Sequence, residues 1–235
     1  VSIVQSDGKT KYDVKLDEYF EYPQDIFKNL TKLRDKISSF KDLEKFTKEI
    51  KKIEKEITLF HSEVVKEIIK KTKTNIDLVG FHGQTIYHNV KEKISKQLGD
   101  GKLLSDLTKK TVVYNFREND LKNGGRGAPL TPIFHKLIAQ QNKIPLPVCI
   151  LNLGGIANIT AIKEYDYKDI FSCDIGPGNC LIDQWIRKNS KYKYDKDGLI
   201  AKSGKVNKLI FNQAVDNFLN LNIFKNKSFD IKDFD

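Results

Sequence analysis

The chain has 235 residues, 39% hydrophobic and 31% charged, which suits one large or two smaller globular domains with a real core. It carries 41 Lys+Arg against 31 Asp+Glu, but the excess is almost all Lys interleaved with acids, as in Lys51-Lys52-Ile53-Glu54-Lys55-Glu56, the pattern of a solvated helix face and not of a nucleic-acid surface. No apolar run approaches the roughly 20 residues that cross a bilayer, and Cys149, Cys173 and Cys180 lack a C-x-x-C spacing, which argues against a disulfide framework or zinc site and for a reducing cytoplasm.

The opening, Val1-Ser2-Ile3-Val4-Gln5, lacks the basic-then-apolar order of a signal peptide. Methionine is absent even at position 1, so the sequence reads as a processed, trimmed or partial chain. Val1–Gln5 and Tyr12–Leu16 alternate with period two around Asp7-Gly8, a hairpin signal. From Asp25 to Lys71 the period changes. Ile50, Ile53, Ile57, Phe60, Val64 and Ile68 form one helical stripe, expected to bury against a sheet, with a break near Ser38-Ser39. Ile76–Gly80 and Thr111–Asn115 read as short buried strands. A Gly-rich loop, Asn123 to Pro129, leads into a helix over Pro132–Gln140. The polar, Pro-bearing stretch Gln141–Pro147 is the expected domain boundary. Strands then follow at Val148–Leu153, Ile159–Ile162 and Ile170–Asp174, and a helix carries Leu181, Ile182, Trp185 and Ile186. Strands alternating with helices indicate α/β or α+β layering.

Four stretches carry chemistry. In Gly80-Phe81-His82-Gly83-Gln84-Thr85, a strand delivers polar groups to its carboxyl end, where ligands bind in α/β sheets; a turn role for His82 fits equally well. In Asn115-Phe116-Arg117-Glu118-Asn119-Asp120 and Gly124–Pro129, a rare Arg offers a planar fork for a carboxylate or phosphate, and the glycine loop offers backbone N–H groups. Taken alone, the loop is equally a surface loop. Asn152-Leu153-Gly154-Gly155-Ile156-Ala157-Asn158 is a hairpin whose backbone can reach phosphates, or a plain turn. In Asp174-Ile175-Gly176-Pro177-Gly178-Asn179, an acid ends a strand before a helix and is placed to act as a general base or to cap that helix.

In this order, His82-Gly83-Gln84-Thr85, Phe116-Arg117 with Gly124 to Leu130, Asn152 to Asn158 and Asp174 to Asn179 resemble the anhydro-N-acetylmuramic acid kinases. Tyr194 to Gly198, Ala201, Gly204-Lys205-Val206 and Lys227-Ser228 to Phe234 extend the resemblance over essentially the whole chain. The resemblance implies α/β architecture of the two-domain, actin-like (ribonuclease H-like) sugar-kinase type, here incomplete. It implies a first, sugar-binding domain over 1–143 without its first strand and phosphate loop, and a second, phosphate-side domain over 144–235 that stops before the adenosine segment. It implies ATP and Mg²⁺ as cofactors and a small sugar as substrate, with no nucleic acid or membrane partner, working as a homodimer or with a complementary chain. The implied reaction adds water to a 1,6-anhydro sugar and phosphorylates O6. Asp174 is then the general base. His82, Gln84, Thr85, Arg117, Gly127 and Pro129 are the implied sugar contacts, and Gly154, Gly155, Asn158, Gly176 and Asn179 the implied phosphate contacts; no residue is assigned to a metal. A non-catalytic remnant or one half of a split kinase is the rival reading. At Asp100 the family more often has Asn.

Overall fold

The computed structural model of the chain describes residues 1–220; the expected motif at Lys227–Phe234 lies outside them. The chain divides into two compact units, one ending at Leu130 and one starting at Thr131. Both are mixed α/β, built on small sheets: three of two strands and one of three.

The first unit opens with β1 (Ser2–Ser6) and β2 (Tyr12–Asp17), an antiparallel pair as expected. The Asp7 carboxylate closes their turn by accepting the N–H groups of Lys9, Thr10 and Lys11 at 2.9, 2.8 and 2.9 Å. The helical run then divides into α1 (Gln24–Lys36), α2 (Phe40–Lys45) and α3 (Thr47–Lys71). The break falls at Ser38-Ser39 because Asp42 reaches back to accept both of their N–H groups, at 3.1 and 2.9 Å. The stripe on α3 is buried at Ile50, Ile53, Ile57, Val64 and Ile68. Ile50, Ile53 and Ile57 share one core with Ile26, Leu33 and Ile37 from α1 and its end, and with Ile86 and Leu98. Fully burying one such side chain is worth about 1.5–3 kcal/mol.

Beyond α3 come β3 (Leu78–Phe81), β4 (Gln84–Asn89), β5 (Ile94–Leu98), α4 (Gly101–Thr108), β6 (Thr111–Tyr114) and α5 (Phe116–Lys122). One expectation, that both strands are buried, is corrected here. The strands β3 and β6 pair in parallel, but Leu78 and Val113 are 56% and 42% exposed. Each strand has a single strand partner among the described residues, so the sheet covers little of either. Arg117 follows β6 and sits in the first turn of α5. The β4–β5 hairpin was not legible. Its turn has no Gly, and Lys93 takes a positive φ of 55° in its place.

The second unit opens with α6 (Pro132–Gln141), with Pro in its first turn. Then β7 (Val148–Leu153), β8 (Ile156–Ile162) and β9 (Ile170–Pro177) form one antiparallel meander. The helices α7 (Cys180–Asn189), α8 (Leu199–Ser203) and α9 (Lys208–Asn220) follow. The helix α6 falls in this unit, ahead of the boundary read at 143/144. Its bonds explain why: His135 Nδ1 lies 2.8 Å from Thr160 Oγ1 on β8, and Tyr165 O–H donates to Ala139 O and Ile144 O, each at 3.2 Å. A polar, Pro-bearing linker marks where a helix ends, not which neighbour that helix packs on.

Candidate functional site

In the first unit, the structure brings His82, Arg117 and Gly127 together. Arg117 Nε donates to His82 Nε2 at 3.1 Å, and one terminal N–H donates to Gly127 O at 2.9 Å. A guanidinium only donates, so His82 Nε2 accepts and the ring proton sits on Nδ1, which faces Gly83 O at 2.9 Å. Burial lowers the Arg117 pKa from its usual value, yet guanidinium remains a cation at neutral pH. These bonds use two of its five N–H donors, so the fork keeps capacity for an anion or hydroxyl.

The loop after α5 is shaped from below by Asp120, whose carboxylate accepts Gly127 N–H at 2.7 Å and whose carbonyl accepts Gly125 N–H at 2.8 Å. Gly127 has φ +70°, and a Cβ there would lie 3.0 Å from the Leu121 side chain, itself fully buried. Pro129 follows across a cis Ala128–Pro129 bond. Gln84 and Thr85 are chain neighbours of His82 but engage other partners. Gln84 Nε2 donates to Tyr22 Oη at 3.0 Å, and Gln97 Nε2 donates to Thr85 Oγ1 at 3.2 Å. Asp100, where the resemblance marked a departure, caps α4 by accepting Leu103 N–H at 2.9 Å, a role Asn and Asp fill about equally well.

In the second unit, the site is built from backbone. The Gly154-Gly155 turn joins β7 to β8, and its carbonyls take the first amide of α7 and the two amides before it. Gly178 N–H and Cys180 N–H donate to Gly155 O at 2.9 and 3.2 Å, Asn179 N–H donates to Gly154 O at 2.8 Å, and the Asn179 amide side chain donates to Leu153 O at 3.1 Å. The Gly155 carbonyl thus takes the first amide of α7. A trans peptide holds its C=O and N–H antiparallel, so the Gly155 N–H, opposed to Gly154 C=O, points away from α7. Gly178 must be glycine in this arrangement, because a Cβ would lie 2.3 Å from Gly154 O.

Asp174 stands within β9, directly across from Asn158 on β8, which in turn faces Asn152 on β7. Side chains alternate along strands and align across them, so Asn152, Asn158 and Asp174 make one polar row on one face, at the turn end of the sheet. Gly176 faces Ala157 in the next register position. The following row on the same face, Ile150, Thr160 and Ser172, carries fully buried Thr160, with Ser172 O–H donating to Ile159 O at 2.8 Å. The sequence reading missed Asn152 and Thr160 as members of this face. The signal was present: Asn152 and Asn158 stand three residues either side of Gly155, the centre of the turn.

The chain matches the model of the family described as anhydro-N-acetylmuramic acid kinase over residues 1–226. It is similar to the anhydro-N-acetylmuramic acid kinase of Pelagibacter ubique strain HTCC1062, 56% identical over 234 residues that cover 100% of this chain and 62% of that protein. It is 41% identical to the one from Zymomonas mobilis over 76% of this chain and 48% of that protein. It is 33% identical to the one from Agrobacterium fabrum over 88% of this chain and 56% of that protein. The chain thus spans less than two thirds of the length of these relatives.

Proposed function

The chain belongs to the anhydro-N-acetylmuramic acid kinase family, and from that premise we propose that the protein is an ATP-dependent kinase of cell-wall sugar recycling. It opens 1,6-anhydro-N-acetylmuramic acid with water and phosphorylates O6, giving N-acetylmuramate 6-phosphate. The actin-like form of its α/β fold, a cytoplasmic location and a division of labour between the two units belong to this proposal. No described helix is long and apolar enough to cross a membrane.

The observation that supports it most is the row Asn152, Asn158 and Asp174 beside a backbone turn fastened to α7. Asp174 takes a proton from the water that attacks the anomeric carbon; the C1–O6 bond breaks, and O6 becomes the phosphoryl acceptor. Asn158 neighbours that carboxylate in the row, with Asn152 beyond it. The amide side of Gly154-Gly155, with Gly176 and Asn179, approaches phosphate oxygens. On the sugar side, the free donors of the Arg117 fork suit the lactyl carboxylate of a muramic sugar. His82, Gln84, Thr85 and the Gly127-to-Pro129 loop meet its hydroxyls and acetamido group.

ATP with Mg²⁺ supplies the phosphoryl group and offsets its charge when bound. Among the described residues no group of three or more His, Cys, Asp or Glu converges. The test is to incubate the full-length protein with ATP, Mg²⁺ and the anhydro sugar. The expected products are ADP and the 6-phosphate in equal amounts. ADP release without a phosphorylated sugar refutes the proposal.

A further inference from the structure

The side chain of Gln84 is held from behind by groups on other elements. Its Nε2 lies 3.0 Å from Tyr22 Oη, just ahead of α1. Tyr22 Oη lies 3.5 Å from His61 Nε2 on α3, and His61 Nδ1 lies 2.9 Å from Ile57 O, one turn earlier on the same helix. The rings of Tyr22, Phe60, His61 and Phe81 pack on one another, with centroids 5.0 to 5.7 Å apart, which fixes the Tyr22 and His61 planes.

The hydrogen-bond sense along this chain is set from its Ile57 end. Ile57 O only accepts, so His61 Nδ1 carries a proton. Burial lowers the His61 pKa, which favours the neutral ring with a single N–H. Its Nε2 is then a lone pair, and the proton between it and Tyr22 Oη belongs to Tyr22. Burial raises the Tyr22 pKa, so that hydroxyl stays protonated. With its proton turned toward His61, Tyr22 Oη can only accept from Gln84, and what it accepts is an N–H. The reverse amide orientation would set two lone pairs against each other at 3.0 Å.

We propose that Tyr22 and His61 are positioning residues that set the amide orientation of Gln84, so that Gln84 presents its carbonyl oxygen, and not its NH₂, to the ligand. The group it meets is therefore a donor: a sugar hydroxyl or the N–H of an acetamido group. An orientation fixed before binding removes an ordering cost that a freely flipping amide would bear. The inference rests on the reading of Gln84 as a sugar contact, but its internal geometry can be checked without that reading.

Two measurements on the full-length protein decide it. In the unliganded protein with ¹⁵N-labelled histidine, the His61 ring, assigned by its loss in His61→Gln, should show a protonated Nδ1 and an unprotonated Nε2. The opposite tautomer overturns the proposal whatever the enzyme does. Tyr22→Phe keeps the ring stack and removes the relay. It should raise KM for the anhydro sugar about tenfold, the weight of one well-oriented hydrogen bond, with kcat and KM for ATP within about twofold. An unchanged sugar KM, or a fall in kcat with both KM values altered and an earlier unfolding midpoint, shows Tyr22 to be ordinary core and also overturns it. If the unmodified protein makes no sugar phosphate, the proposed reaction fails while the tautomer result still decides the relay.

Discussion

The Arg117 cluster of the first unit and the Gly154-Gly155 turn of the second are held together by different means. Around Arg117, side chains do the holding: a guanidinium ties His82 to Gly127, and the Asp120 carboxylate pins the loop from beneath. Around Gly154-Gly155, backbone bonds to backbone, with amides 178 to 180 seated on two glycine carbonyls. A region held by side chains tolerates backbone change and is tuned residue by residue. A region held by backbone is indifferent to most side chains but admits no Cβ where two backbone segments touch. Substitutions in the two regions should therefore fail differently.

The largest expected effect on stability is Gly178→Ala. Its Cβ would sit 2.3 Å from Gly154 O, a backbone atom that cannot swing aside, so the turn and α7 must part. Overpacking of this kind costs about 1–3 kcal/mol, and the upper end is expected here. Urea unfolding of the second unit checks it, and an unshifted midpoint would show that the turn is not rigidly seated. Next is Arg117→Lys. Charge is kept, but one ammonium cannot serve both His82 and Gly127 and still reach a ligand. The expectation is a fall of about 10- to 100-fold in kcat/KM for the sugar with little change in unfolding midpoint. An equal loss toward ATP would place Arg117 outside the sugar contacts.

The smallest effect concerns neither region and serves as their control. Asp42 is held at about 2 by hydrogen bonds from the Ser39 side chain first and then the Ser38 backbone. A carboxylate depressed on folding contributes stability above its unfolded value, near 4, and loses it as pH falls through about 2. Because the group is solvent-exposed the effect is slight. Asp42→Asn should flatten the acid limb of the stability curve without touching sugar or ATP kinetics; a change in either would link the α1–α2 break to the site.

Much of this was legible in the sequence because glycine and proline punctuate it. The hairpin at Asp7-Gly8, where Gly8 takes φ +72°, the turn at Gly154-Gly155 and the start of α6 at Pro132 all lie where glycine and proline marked them. The α3 stripe was legible because a long amphipathic period is hard to mimic by chance. Two features were not. The β4–β5 hairpin turns on Lys93 in a left-handed conformation, which no residue preference announces. The holding roles of Asp120, Tyr22 and His61 depend on contacts between distant or locally unremarkable positions. Single motifs nominate the residues proposed to face the chemistry; only the fold shows what stands behind them.

The most direct test of the central claim is Asp174→Asn in the full-length protein, assayed for N-acetylmuramate 6-phosphate alongside calorimetric binding of the anhydro sugar. The substitution is isosteric and keeps the row with Asn158 and Asn152 intact, so binding should persist. Turnover should fall by about 10²–10⁴-fold with the loss of a general base. Near-normal turnover with the same bound sugar would contradict the assignment of Asp174 and the reaction built on it.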